Sequence, residues 1–379
     1  MRVLNVCSDM NIGGAGRCIL NFLAHYDREA FRVDVALPRG SLLIPEVEKL
    51  DTQVFEVDVR GDKSFDRADI NKFKAVIRES GAQVVHAHGA MSARVAARRC
   101  KRAVVFTRHS VFPVGGAMAI PPVRWLNGMI NEYYADAIIA VAEAAKENLV
   151  DSGVHPQKIE VVLNGVDGQT RLPPEAIAEE RAKYGIPDGH FVAGILARLE
   201  AVKGHGYLIE AARLLKDRGR EITVLIAGAG QMEETLRAQV GALGLEDTVL
   251  FAGFVEDVPR LLSVLDLQVN ASFGTEATSL ALLEGMSMGL PAVVTDYGGN
   301  PGVIQDGVNG RLVPTRNSVA LAAAIEEMMT DRVAYEQMVA GSLDVFAEKF
   351  TAEIYARNIE RIYRRAAMLR YGKEMESKI

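Results

Sequence analysis

Three cysteines are few for a chain of 379 residues, and Cys7, Cys18 and Cys100 stand at no spacing that a disulfide framework or a metal knuckle uses. A reducing compartment is the simplest inference. No run approaches the ~18 continuous apolar residues that a membrane-spanning helix needs. The N-terminus enters a strand directly, with no signal-peptide pattern ahead of it. The expectation is a cytoplasmic protein. Carboxylates are also missing between Glu79 and Glu132, although Arg94, Arg98, Arg99, Lys101, Arg102, Arg108 and Arg124 all lie there. Such a stretch suits an anionic partner or a screened surface.

The length is enough for two domains with full cores. The net charge of −6 is uneven: about +1 over residues 1–170 and about −7 over the rest. Arg2–Cys7 alternates too little for a half-exposed strand and suits a parallel strand covered on both faces. Asn11-Ile-Gly13-Gly14-Ala-Gly16 follows, then a helix over 17–25 with Ile19, Leu20 and Leu23 inward. A strand, glycine loop and helix in that order let a backbone approach phosphate closely. This is not the dinucleotide fingerprint, because no acidic residue closes the next strand, 32–37.

Further strands are expected over 54–57, 83–88, 103–107, 137–141 and 158–163, with helices between them. His86 and His88 share one face of their strand. A metal pair there would need a third ligand, and none is evident. The other reading is one buried histidine and one lining a cleft at the strand's carboxyl end. Residues 94–102 read as a helix with Arg94, Arg98 and Arg102 on one face and Arg99 and Lys101 beside them. The apolar loop 112–122 contributes Met118 and Ile120, and Val123 and Trp125 follow. Together these read as a patch for an anionic membrane surface or an acceptor. Pro173-Pro174 and Gly185-Ile-Pro187 place a hinge within 168–188.

The second half is organised around residues 273–311. Glu276 precedes a helix that Thr278 and Ser279 can cap, with Leu280, Leu283, Met286 and Met288 as its buried stripe. Glu284 lies inside the helix, Gly289 and Pro291 stop it, and Ala292–Thr295 is a short strand before Gly298-Gly299. A helix N-terminus gathers free N–H groups and a positive dipole end, an anion site. Upstream, the strand 191–196 ends in Ala197-Arg198-Leu-Glu-Ala-Val-Lys203-Gly204. Two cations on a strand-to-helix turn suit a diphosphate.

Two glutamates at this spacing, Gly-x-Pro, Gly-Gly, Arg198…Lys203-Gly204, Thr107-Arg-His109 and Asn164-Gly-Val-Asp167 together resemble the retaining nucleotide-sugar glycosyltransferases of family 4. The likeness covers most of the chain. Ala197 and Ala277 stand where that family commonly has glycine, and Gly302 where it often has glutamate. The resemblance implies an α/β protein of GT-B architecture: two Rossmann-like domains facing across a cleft, with a C-terminal helix crossing back to the first. The expected limits are 1–170 for the acceptor-side domain, 171–353 for the nucleotide-sugar domain and 354–379 for the returning helix.

It further implies that His109, Arg198, Lys203 and Glu276 serve catalysis, with Glu276 on hydroxyls of the donor sugar. Glu284 would hold the ribose. Thr278, Ser279 and Leu280 would offer N–H groups to the diphosphate, Gly13 and Gly14 would face it, and Phe254 and Val255 would cover the base. The co-substrate is a nucleotide-diphosphate sugar of UDP or GDP type. No other cofactor and no metal are expected, since fixed cations take the metal's place and no Asp-x-Asp pair occurs. The acceptor would be a glycan or lipid-linked hydroxyl in glycan, glycolipid or cell-surface polysaccharide biosynthesis, with the enzyme cytoplasmic or peripheral at the inner membrane face. No nucleic-acid partner is expected. A nucleotide-sugar epimerase of the same architecture and a non-catalytic sugar-nucleotide-binding protein are the alternatives. Nucleotide release that depends on an added acceptor separates them.

Overall fold

A computed structural model describes residues 1–59, 64–111, 114–116 and 120–372. The chain divides into two units. Residues Met1–Val166 and the segment from Ala352 onward form the first, and Asp167–Thr351 the second.

The first unit is a seven-stranded parallel sheet. Its strands are β1 (Arg2–Cys7), β2 (Arg32–Pro38), β3 (Val54–Val57), β4 (Val84–His88), β5 (Ala103–Arg108), β6 (Ala137–Ala140) and β7 (Ile159–Val161). Their order is β3-β2-β1-β4-β5-β6-β7. β1, β4 and β6 are buried along nearly their whole length, as strands covered by helices on both faces must be. The helices are α1 (Gly14–His25), α2 (Ile44–Glu48), α3 (Arg67–Ser80), α4 (Met91–Arg99), α5 (Pro121–Tyr133) and α6 (Glu143–Asp151). Local chemistry sets their limits. Asp66 caps α3 by accepting from the Asp69 N–H, and Gly81 ends it at φ 64°. In α1 the buried face is Cys18, Ile19, Phe22 and Leu23, while Leu20 is only half-buried.

The second unit has six parallel strands: β8 (Phe191–Leu196), β9 (Ile222–Ala227), β10 (Val249–Gly253), β11 (Leu267–Asn270), β12 (Ala292–Thr295) and β13 (Gly310–Val313). Their order is β10-β9-β8-β11-β12-β13. Its helices are α7 (Pro174–Lys183), α8 (His205–Asp217), α9 (Glu233–Ala242), α10 (Val258–Ser263), α11 (Leu280–Ser287), α12 (Asn300–Val303), α13 (Ser318–Thr330) and α14 (Arg332–Lys349). Apolar clusters fill both faces of the sheet.

The last helix, α15 (Ala352–Tyr371), belongs to the first unit. It buries Tyr355, Ile359, Ile362 and Tyr363, and the Ala352 N–H bonds the Val166 carbonyl. The hinge expected within 168–188 is displaced. Those residues belong to the second unit and include α7, and they are fastened there. Gln169 N–H donates to Ser287 Oγ, and Arg171 to the Ser263 and Leu265 carbonyls. The chain passes between units at Val166/Asp167 and again at Thr351/Ala352.

In each sheet, strand order reverses once: between β1 and β4, and between β8 and β11. Open parallel sheets bind ligands outside the carboxyl ends of the strands at such a switch point.

Candidate active site

In the second unit, the turn after β8 carries Arg198 and Lys203, and the loop after β11 carries Glu276. Lys203 Nζ lies 2.8 Å from Glu276 Oε2. The same oxygen accepts from Ser272 Oγ at 3.1 Å and from Asn270 Nδ2 at 3.4 Å. The lysine and glutamate side chains are 12% and 8% exposed, so the pair is shielded from solvent. Gly204 closes the lysine turn at φ 76°. A Cβ there would stand 2.0 Å from the Ala271 carbonyl oxygen, so only glycine lets the two loops meet.

Glu276 is fixed through its backbone as well. Gly299 N–H donates to its carbonyl at 3.3 Å, and a Cβ on Gly298 would stand 2.1 Å from the same oxygen. Thr275, just before it, holds φ 54°, a left-handed conformation that a β-branched residue adopts only under constraint. Thr295 Oγ1 donates to the Ser272 carbonyl at 2.5 Å, and Asn300 Nδ2 to the Thr295 carbonyl at 3.0 Å. The ends of β11 and β12 are thereby tied beneath the carboxylate.

Ser279 is the cap of α11, its Oγ accepting from Leu282 N–H. The buried face of the helix is Leu282, Leu283, Gly285 and Met286; Leu280 and Met288, expected inward, are half-buried. Gln268 reaches up from β11 to the Ala281 carbonyl at 2.7 Å. Arg198 differs from Lys203: its side chain is 72% exposed and pairs with Glu200 on the same turn at 2.6 Å. Thr278 and Glu284 are half-buried around the helix. Beyond Gly253, Phe254 stands 75% exposed, while Val255 packs on the apolar layer beneath.

The switch point of the first unit is built differently. Gly13 and Gly14 follow β1; the N-terminus of α1 has no side-chain cap and no acidic residue in its first turn. Opposite, β4 ends in His86 and His88, whose rings lie 4.2 Å apart. Both are buried, where the expectation was one buried and one lining a cleft. His86 Nδ1 lies 2.9 Å from Tyr363 Oη and its Nε2 2.6 Å from Thr107 Oγ1. His88 Nε2 is 3.1 Å from Asn5 Oδ1, and its Nδ1 is 2.7 Å from Nε2 of half-buried His109. Their ring nitrogens are thus engaged by protein partners. Burial, reinforced by the neighbouring rings, pushes His86 down to about 3 and His88 well below the usual histidine range. Burial alone pushes His109 down to about 4. All three rings are neutral at pH 7.

The expected basic patch is corrected. Arg94 is 1% exposed. It donates to the Asn131 side chain and carbonyl and to the Tyr134 carbonyl, and lies over the Phe106 ring. Arg98 binds Asp136 at 2.9 Å and the Tyr133 carbonyl. These arginines hold α5 on α4. Helix α4 ends at Arg99, so Lys101 and Arg102 lie beyond it; Arg102 is half-buried, and Arg99 and Lys101 are exposed. Met118 and residues 112–113, 117 and 119 of the expected loop lie outside the described residues, as do 373–379.

Asn5, Tyr363, Asn270, Ser272 and Gln268 were missed in the sequence. Asn5 lies alone in an apolar strand, Gln268, Asn270 and Ser272 alternate along β11 and just past it, and Tyr363 stands among the arginines of α15; no motif or spacing marks their partners.

Two Rossmann-like units with their polar residues gathered at the switch points define a protein of the GT-B class, and comparison with known proteins agrees. The family model "Glycosyltransferase Family 4" matches residues 12–169 and "Glycosyl transferases group 1" matches residues 176–342. The glycosyltransferase EpsD of Bacillus subtilis is 30% identical over 82% of this chain and 83% of its own. The amylovoran biosynthesis glycosyltransferase AmsK of Erwinia amylovora is 28% identical over 61% of this chain and 57% of its own. The crystal structure of Anabaena HepE in complex with UDP-glucose superposes with a TM-score of 0.83 at 22% identity, over 96% of this chain and 99% of that one. That likeness speaks for the fold. The chain belongs to the GT-B glycosyltransferases of family 4 type.

Proposed function

We propose that the protein is a retaining glycosyltransferase that moves a sugar from a nucleotide-diphosphate sugar, of UDP or GDP type, to a hydroxyl acceptor, with no metal ion. The observation that carries this is the shielded Lys203–Glu276 pair at a switch point, with exposed Arg198 on the same turn. HepE's complex with UDP-glucose supports the donor class, and AmsK's name supports a role in polysaccharide biosynthesis.

In this reading Glu276 Oε2 is already held by three donors, which leaves Oε1 to accept from a sugar hydroxyl. Arg198, Lys203 and the first N–H groups of α11 stabilise the charge that develops as the nucleotide diphosphate leaves. One such donor is worth about 3–4 kcal/mol, roughly 10²–10³ in rate. In this reading Glu276 accepts from the sugar, and retention runs by front-face attack, the departing phosphate taking the acceptor proton. Among the described residues no group of three or more His, Cys, Asp or Glu is placed to hold a metal. In this reading exposed Phe254 covers the base.

The test is acceptor-dependent release of nucleoside diphosphate across a donor panel, with and without chelator, and NMR of the product anomer. Chelator-resistant release with retained configuration is expected. An inverted product overturns retention, loss in chelator overturns metal independence, and isomerised donor without release favours the epimerase. Saturable binding without turnover favours the silent binder.

A second observation favours docking on an anionic membrane. On α5, Pro122, Trp125, Leu126, Met129 and Tyr133 share one face, and all are exposed, with Ile120 and Val123 beside them. A contiguous apolar patch of this kind marks an interaction surface. The exposed cations of this carboxylate-free stretch are Arg99, Lys101 and Arg124. Each adds roughly 1 kcal/mol near an anionic bilayer. Among the described residues no helix is long and apolar enough to cross a membrane, so the contact would be peripheral. Trp125 is the one tryptophan of the chain. Its emission should shift to the blue with anionic vesicles, not with neutral ones, and the shift should fade in high salt. An unshifted spectrum sinks the idea.

A further inference from the structure

The histidines of the first unit form a directed chain, and its direction can be read from its end groups. An amide oxygen only accepts hydrogen bonds. Asn5 Oδ1 faces His88 Nε2 at 3.1 Å, so Nε2 carries the proton. Tyr363 Oη, 3.3 Å away, donates to the same oxygen. A neutral imidazole has one N–H, so His88 Nδ1 is a bare lone pair. It lies 2.7 Å from His109 Nε2, which must therefore be the donor. His109 in turn keeps a bare Nδ1, which has no partner among the described residues.

We infer that Asn5 and His88 are positioning residues that fix His109 in its Nε2–H tautomer, so that Nδ1 is offered as a hydrogen-bond acceptor to a substrate hydroxyl. Neither Asn5 nor His88 needs to touch substrate, since both act through His109. Burial of the rings supports this by keeping all three neutral. A second proton on His88 would destroy the acceptor that His109 needs. The tilted stack of His86 on His88 fixes the ring plane, and Tyr363 and Thr107 hold His86 from either side. Tyr363 thereby lets the C-terminal helix α15 buttress the chain. That a hydroxyl of donor or acceptor meets Nδ1 rests on the glycosyltransferase reading above. The tautomer itself does not.

The experiment is histidine-selective ¹⁵N labelling with two-bond ¹H–¹⁵N correlation, which distinguishes Nδ1–H, Nε2–H and cationic rings. His109 is assigned by loss of its signals in His109→Gln. The wild type should show His109 as the neutral Nε2–H form from pH 8 to pH 6. Asn5→Leu, nearly the same shape, removes the oxygen that holds the His88 proton. His88 should then move its proton to Nδ1, and His109 should switch to the Nδ1–H form. Turnover should fall roughly tenfold, the scale of one hydrogen bond, and in kcat rather than in nucleotide affinity. An Nδ1–H or cationic His109 in the wild type overturns the inference even if Asn5→Leu does not fold. So does an Asn5→Leu protein with its His109 signals and turnover unchanged. A correct tautomer in a protein with no transferase activity would instead overturn the proposed function and leave this inference standing.

Discussion

At the switch point of the first sheet every titratable ring is neutral, while at that of the second a lysine and a glutamate face each other 2.8 Å apart. The folds are alike in topology, yet the linings demand different conditions. Neutral rings survive burial because they give up charge and bond to Asn5, Thr107 and Tyr363. The ion pair survives because each partner compensates the other and three donors meet one carboxylate oxygen. The first arrangement is vulnerable to protons and the second to loss of a partner.

The largest expected effect breaks the second site. Lys203→Ala leaves Glu276 buried without its cation, which costs about 3–5 kcal/mol for a pair of this kind. Arg198→Ala, on an exposed side chain, should change stability by about 1 kcal/mol or less. Both should lower kcat by roughly 10²–10³ if they stabilise the leaving diphosphate. Urea denaturation and steady-state rates on the same preparations separate the two roles. Equal stability losses would erase the distinction between them.

Acid should sharpen the contrast. For His86, His88 and His109 the folded values lie below the ordinary 6.5, so the unfolded chain binds protons that the folded chain refuses. Their contribution is intact above pH 6.5 and is lost as pH falls toward about 4, at up to ~1.4 kcal/mol per pH unit for each ring. In the second unit His205 behaves this way, pushed down to about 4 by burial and by Lys203; Glu180, Asp247 and Glu326, lowered by their hydrogen-bonded cations, act in the same sense but from ordinary values of 4.5 or less, below the range compared. Asp34, raised by burial, opposes the trend in the first unit, one group against three. Hydrogen exchange in graded urea at pH 7 and pH 5 should show the first unit losing more protection than the second. The reverse order would mean that the histidines are not what sets acid stability.

An intermediate effect concerns α11. A Cβ on Gly285 would stand 2.0 Å from Gln268 Oε1, beneath the helix that carries Glu284. Gly285→Ala must displace either the glutamine or the helix. A loss of about 1–3 kcal/mol, typical of overpacking, should come with a raised KM for the donor. Thermal denaturation and donor titration check it, and Gln268→Ala in the same chain should restore part of the stability.

Much of this was legible in the chain because local rules governed it. Continuous apolar runs gave β1, β4 and β8, since strands covered on both faces need no alternation. Ser279 and Gly289 marked helix ends by their own chemistry. The motifs that drew attention to Arg198, Lys203 and Glu276 lie beyond the carboxyl ends of β8 and β11, and Glu284 lies on α11. What stayed hidden depended on distant partners. Arg94 and Arg98 have the i, i+4 spacing of a solvated face, and only the α5 carbonyls, 35–40 residues on, turn them inward. Asn5 and Tyr363 share a hydrogen bond across 358 residues, which no periodicity announces. The hinge was misplaced because Pro173-Pro174 and Gly185 mark the ends of a helix within one unit, not a boundary between two.

The smallest effect tests the glycines, where the two switch points differ most. Gly204 and Gly298 are imposed by their own chain, through positive φ and a carbonyl about 2 Å from the Cβ position. Gly14 is not. Its φ is not positive, and a Cβ there would meet nothing within 4 Å. Gly13, in extended backbone at φ −93°, would place its Cβ 3.9 Å from Asp9 Oδ2 and no closer to anything. As the first residue of α1, an alanine at position 14 should therefore stabilise the fold, by about 0.4–1 kcal/mol, through a less disordered unfolded chain. If the glycine is there so that a phosphate can reach the α1 N-terminus, Gly14→Ala should weaken donor binding at least tenfold while raising Tm. If donor affinity is unchanged, the glycine is an ordinary turn residue, and the first switch point contributes its histidines alone. Gly204→Ala should do the opposite and lose stability outright, because its strain is internal and independent of any ligand.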